Sequence, residues 1–180
     1  MPVRPTMSDL IQRLRLLIHD PAGTDQTFSD EELQGFLDAR RTDYLYRRLT
    51  ALYTVGPDFT PQILAATSMP VGDWEEGAVL TGPDYVPISP ATADYRRGIW
   101  TFSAHQPEPI RITGRTFDLA AAGADALEAW AARLKAEYDF RTADYEFEGN
   151  QRVAGILRLA AALRCRQKPR TVTMMRSDQC

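Results

Sequence analysis

RTFDLAAAGADALEAWAARLKAEYDFRTADYEFEGNQRVAGILRLAAALRCRQ, residues 115–167, is the stretch about which the rest of the chain is arranged. Phe117, Ala120, Ala121, Ala124, Leu127, Trp130, Ala131, Leu134 and Tyr138 recur three or four apart, which lays them along one stripe of a helix. Asp125, Glu128, Arg133 and Glu137 fall off that stripe. After a short aromatic and acidic turn, Val153, Ile156, Leu157, Ala160 and Leu163 repeat the spacing, with Arg152, Arg158 and Arg166 outside it. Two stripes joined so briefly are expected to pack as an antiparallel helical hairpin and to form the core. Gly123 and Gly155 sit inside these helices at a cost of about 1 kcal/mol each relative to alanine, which signals either close backbone approach or tolerance.

Upstream, Thr6 or Ser8 is placed to cap a helix whose apolar face is Met7, Leu10, Ile11, Leu14, Leu17 and Ile18, with Gln12, Arg13 and Arg15 outside it. His19-Asp20-Pro21 ends it, because a residue before proline is pushed out of the helical region. A second helix has a full start signal: Ser29 as cap, Glu32 as its reciprocal partner, and Phe28 placed to staple onto Leu33. Leu33, Phe36 and Leu37 continue its apolar face. The acidic link Asp20 to Thr27 lacks the alternating oxygen ligands, central glycine and terminal glutamate of a calcium loop, so it is expected to be a solvated connection.

From Tyr44 to Val55 the texture turns aromatic and β-branched and stops at Gly56-Pro57, which predicts one long strand and a turn. Gln62–Thr67, Ala78–Thr81, Tyr85–Ile88, Ile99–Phe102 and Ile110–Thr113 are shorter strand candidates separated by Pro and Gly. Trp100 and Phe102 would share one face, as would Ile110 and Ile112. The expected class is therefore α+β: a helical bundle of about four helices with an inserted small antiparallel β subdomain and an extended C-terminal tail. Its expected parts are an N-terminal helical hairpin at 1–42, the β subdomain at 43–115, the long helical hairpin at 116–167 and the tail at 168–180.

Composition narrows the function classes. The 180 residues are 44% hydrophobic, enough for a real core. A net charge of -3 argues against a surface that grips nucleic acid everywhere. Cys165 and Cys180 form neither a disulfide framework nor metal-ligand spacing, which fits a reducing compartment; no metal and no cofactor is expected. Met1–Thr6 carries no secretory pattern, and the alanine-rich run 119–132 is broken by Asp125 and Glu128 far short of the ~20 apolar residues that span a bilayer. A soluble protein made in the cytoplasm is expected. His19 and His105 lie in no nucleophile or metal pattern, and phosphate-loop, His-Glu-x-x-His and Cys-x-x-Cys motifs are missing. Asp73-Trp74-Glu75-Glu76 is the most enzyme-like stretch, since paired carboxylates beside an aromatic suit a glycosidase, although a loop tryptophan is more often a packing anchor. From Arg152 to Arg176 the charges are Arg152, Arg158, Arg164, Arg166, Lys168, Arg170 and Arg176, with no acid among them. They fit contact with an acidic partner or passing nucleic acid on the one hand, and a solvated helix face on the other, equally well. The methionines of Thr171-Val172-Thr173-Met174-Met175 suit an adaptable apolar contact.

The order of motifs resembles the head-tail connector (adaptor, or head-completion) proteins of tailed phages, which dock beneath the portal ring. Leu14-Arg15-Leu16-Leu17 running to Asp20-Pro21, then Phe28-Ser29-Asp30-Glu31-Glu32-Leu33, open the likeness. It continues through Gly72-Asp73-Trp74-Glu75, Pro90-Ala91-Thr92-Ala93-Asp94-Tyr95, Gly98-Ile99-Trp100-Thr101-Phe102 and Ile112-Thr113-Gly114-Arg115-Thr116-Phe117-Asp118-Leu119, and so spans nearly the whole chain.

The resemblance implies a non-enzymatic virion protein of the neck, assembled as a homo-oligomeric ring, typically a dodecamer. Such a ring sits between the portal protein and a stopper or tail-completion protein and leaves a channel through which genomic DNA passes in transient contact. In such adaptors the C-terminal segment reaches up to the portal, which here implies a portal-binding role for Arg170, Thr171, Val172, Thr173, Met174, Met175 and Arg176. The alternative function is a carbohydrate-directed enzyme or binding module using the Asp73–Glu76 loop. A small DNA-binding regulator is a weaker third, because Asp30, Glu31, Glu32 and Asp38 occupy the second helix where a reader needs basic residues.

Overall fold

The computed structural model describes residues 2–56, 58–138 and 146–168. A 3-10 turn at Pro5–Met7 leads into helix α1 (Ser8–Ile18), followed by α2 (Asp30–Ala39). Eight strands come next: β1 (Arg41–Arg48), β2 (Thr50–Val55), β3 (Pro61–Thr67), β4 (Val79–Thr81), β5 (Pro87–Ile88), β6 (Thr92–Asp94), β7 (Ile99–Thr101) and β8 (Arg111–Phe117). Helices α3 (Leu119–Tyr138) and α4 (Glu146–Arg164) follow.

This architecture corrects the expected class in one respect. The chain is α+β, but it is not a helical bundle with a small β insertion: the eight strands build two four-stranded antiparallel sheets, ordered β1-β8-β4-β5 and β2-β3-β7-β6. Residues from both sheets, among them Ile63, Ala66, Leu80, Trp100 and Ile112, meet in a hydrophobic core of their own. The helices share a second core built on Leu10, Leu14, Leu33, Leu37, Leu127 and Leu163. Of the short strands, β4 buries two side chains, β7 one, and β5 and β6 none, so their two-residue alternation is faint beside the long helical stripes.

The stretch expected as one strand from Tyr44 is two strands, one in each sheet. Leu49 lies between them, 4% exposed, with its N–H on the Ile110 carbonyl at 2.9 Å. Both halves have the same aromatic texture, so nothing local marks the corner. The last strand also outruns expectation, pairing Arg41 with Phe117 and placing Phe117 at the end of β8 rather than on a helix. Trp74 and Trp100 stack edge to face at 5.8 Å in the middle of the β core. Gly98 makes that packing possible: its φ is +69°, and a Cβ there would lie 2.1 Å from Ser68 Oγ and 3.0 Å from Trp74 Nε1.

The helices follow the predicted stripes with local departures. Ser29 and Glu32 form the reciprocal capping box, and Phe28 and Leu33 are both fully buried in the helical core. Neither Thr6 nor Ser8 caps α1; Met7 stands at its cap position, and the Thr6 hydroxyl donates to Glu75 Oε1 instead. Leu157 is 45% exposed although it lies on the predicted stripe. Arg15, expected outside the apolar face, is 4% exposed. Its guanidinium donates to the Asp20 carboxylate, the Phe28 carbonyl and Asp30, and Asp20 in turn accepts from the N–H groups of Thr27 and Phe28. That closed set of bonds fastens the α1–α2 connection, whose residues 21–26 are exposed as expected of a solvated loop.

Candidate functional site

The enzyme-like loop between β3 and β4 lies against α1, β8 and the chain that follows α4, and two of its three carboxylates, Asp73 and Glu75, are engaged there, while Glu76 is exposed. Asp73, with φ +58°, accepts from the Arg13 guanidinium and from Lys168 Nζ, the latter at 2.9 Å. Trp74 is 1% exposed, and its indole N–H donates to Ser68 Oγ at 2.9 Å, so it is the packing anchor of the β core. Glu75 is 7% exposed; Oε1 accepts from Arg4 Nε at 2.9 Å and from Thr6 Oγ1 at 2.7 Å, while Oε2 faces Arg115 at 3.5 Å. Arg4 also forks onto both oxygens of Asp38, at 2.7 and 2.9 Å. Those bonds to Asp38, offset in part by desolvation, together with Glu75 hold the Arg4 guanidinium still more firmly protonated than usual. Acids held in this way join the leading chain, α2 and the sheets; Glu75 nonetheless borders, with Glu76, Arg4 and Arg115, an open cleft of about 620 Å³, and its Oε2 accepts no hydrogen bond among the described residues.

The basic C-terminal run is divided by the fold. Arg164 donates to Asp125 at 2.5 Å and to Glu128 at 2.8 Å, and Arg40 forks onto both oxygens of Asp125. Arg152 lies over the Trp130 ring. Arg158 and Arg166 are exposed. Lys168 is the root of the tail: Nζ donates to the carbonyls of Gly72 and Phe117 as well as to Asp73, and its backbone N–H donates to Asp118 at 2.8 Å. The tail residues expected to bind a portal, Arg170, Thr171, Val172, Thr173, Met174, Met175 and Arg176, lie outside the described residues.

Two surface features were not visible in the sequence. The first is the β2–β3 hairpin, which carries large apolar side chains in solvent: Leu52 is 41% exposed, Tyr53 60%, Val55 75% and Phe59 90%. Isolated exposed hydrophobics are ordinary, but several on one projecting ribbon mark a contact surface. The second is a cleft of about 740 Å³ between β1, the loop after β3, and the β8–α3 junction. Tyr44, Val71, Phe117 and Ala121 give it apolar walls, and Arg40, Arg47 and Lys168 place cations at it. A run such as Tyr-Thr-Val-Gly-Pro-Asp-Phe signals a turn, yet whether its apolar residues are covered depends on strands far away in sequence. The cleft draws on four separate segments and has no sequence signature.

Among the described residues no group of His, Cys, Asp or Glu is disposed to hold a metal ion, and no helix is long and apolar enough to cross a membrane. No family model, no curated protein and no solved structure matches the chain.

Proposed function

We propose that this chain is a non-enzymatic structural connector of a tailed-phage particle, an adaptor that forms a ring beneath the portal and joins the DNA-filled head to a stopper or tail protein. The observation that carries this reading is the hairpin exposing Leu52, Tyr53, Val55 and Phe59, because several large apolar side chains on one ribbon mark a surface that other proteins contact. The order of motifs shared with connector proteins supplies the class of partner. The engagement of Asp73 and Glu75 by Arg13, Lys168, Arg4 and Arg115 adds support, since it leaves Glu76 as the one carboxylate of that loop not held by a cation among the described residues, where a glycosidase needs a pair. Mild net acidity fits a channel through which a polyanion must slide.

In this reading residues 170–176 reach the portal from a root fixed by Lys168. The test is to mix the purified chain with portal protein and image the product by electron microscopy, then to repeat with residues 169–180 deleted, which leaves Lys168 in place. A ring capping the portal with the full chain, and lost with the truncated one, is the expected result. Equal docking by both would remove the tail from the proposal, and no docking by either would remove the portal.

A further inference from the structure

We infer that the β2–β3 hairpin tip of one copy seats in the 740 Å³ cleft of the next copy, with Phe59 as the inserted side chain and Asp58 meeting Arg47 at the rim. This names the contact through which the proposed ring closes, and so it rests on that reading.

Complementarity of apolar surface and charge carries the inference. The tip offers Phe59, 90% exposed, and Val55, 75% exposed, beside the exposed carboxylate of Asp58. The cleft offers Tyr44, Val71, Phe117 and Ala121 as apolar lining. Of its cations, Arg40 is already paired with Asp125 and Lys168 with Asp73. Arg47 lies over the Tyr44 ring at 4.6 Å and has no carboxylate among the described residues, so it is the group an incoming acid would meet.

Topology then fixes whose tip it is. β3 runs from Pro61 at the hairpin tip to Thr67, just before Pro70 and Val71 of the cleft, and seven residues of strand span roughly 20 Å. A chain therefore cannot fill its own cleft with its own hairpin, whereas a neighbour displaced by one strand length can. Because tip and cleft are different surfaces, the contact is heterologous, and repetition with a closing rotation yields a ring.

The experiment is disulfide trapping in the full chain carrying Cys165→Ser and Cys180→Ser. Thr60→Cys at the tip and Thr42→Cys at the cleft, both exposed positions, are combined in one chain and oxidised with and without portal protein. The expected result is a ladder of covalent oligomers, absent when Thr42→Cys is replaced by Leu16→Cys on the far side of α1. Phe59→Ser should reduce the ladder at least tenfold. Asp58→Arg should reduce it, and Arg47→Asp in the same chain should restore it. No ladder in either condition, or one equal to the Leu16→Cys control, would overturn the inference. A ladder that appears only after residues 169–180 are removed would assign the cleft to the chain's own tail and also overturn it. Portal docking without a ladder leaves the connector reading standing while this contact falls; a ladder without docking does the reverse.

Discussion

Lys168 and Asp73, 95 residues apart in the chain, are bound at 2.9 Å, and through them the end of the helical hairpin is fastened to the loop between β3 and β4. The same ammonium satisfies two backbone carbonyls, so it is a three-way tie rather than a surface ion pair. Lys168→Ala should lower unfolding free energy by about 1 kcal/mol, a modest loss because the lysine is partly solvated. Amide exchange should rise selectively in the last turn of α4 and at residues 72–73. Unchanged exchange there would mean that the tie does not hold the tail root.

Gly123 and Gly155 should respond in opposite directions to alanine. A Cβ on Gly123 would lie 3.0 Å from Leu163, 3.2 Å from Leu17 and 3.4 Å from Ile18, so it meets α1 and α4 at once. Crowding of that kind costs roughly 1–3 kcal/mol, which offsets or exceeds the gain in helix propensity of about 1 kcal/mol. At Gly155 nothing lies within 4 Å, and Gly155→Ala should stabilise by up to about 1 kcal/mol. Urea midpoints of the two variants decide this.

Arg15→Ala should be among the most damaging single changes in the helical half. It strips the buried Asp20 carboxylate of its counter-ion and leaves the Phe28 carbonyl without its side-chain donor. A loss of about 3–5 kcal/mol is expected, measured by chemical denaturation. Arg15→Met, which fills the same space without the charge, should fare no better as long as Asp20 is present. The double change Arg15→Met with Asp20→Asn should recover part of the loss.

Acid should loosen the packing of α2, α3 and α4. Burial alone would raise the Asp125 carboxyl, but hydrogen bonds from Arg40 and Arg164 reverse this and hold it below its ordinary 3.8. Glu32 is held below 4.5 by the Arg133 guanidinium and the Ser29 N–H. A carboxylate with a depressed folded-state pKa stabilises the fold above its unfolded value, and that contribution disappears as pH falls through the folded value. Stability should therefore be flat from neutrality down to about pH 5 and decline from about pH 4 downward. Asp125→Asn should lower the plateau and reduce the acid slope in urea titrations followed across that range.

Local signals were legible in the sequence and distant ones were not. The Ser29–Glu32 box needs only three residues of separation, and Gly123 stood out because a glycine inside so regular a helix wants a reason. Arg15 looked like any solvent-facing arginine; its cage depends on Asp20 and Asp30 folding back through a loop. Arg4 reaches Asp38 and Glu75, 34 and 71 residues away, which no periodicity encodes. β6 is three residues of Thr-Ala-Asp, without strand character apart from its pairing with β7. Of the candidate site, the tail is marked by its composition and its portal role is what the resemblance implies, whereas the hairpin and cleft exist only once the sheets have formed.

The corner at Leu49 has a mechanical consequence. Because β1 and β2 are one run of chain, a pull on the hairpin tip is passed straight into β1, whose bonds to β8 lie across the direction of load and must shear together. β8 enters α3 within two residues, so tension at the tip ends in the helical core. In the proposed connector, the pressure of packed DNA would thus strain each subunit along a path anchored at both ends rather than peel its sheets apart.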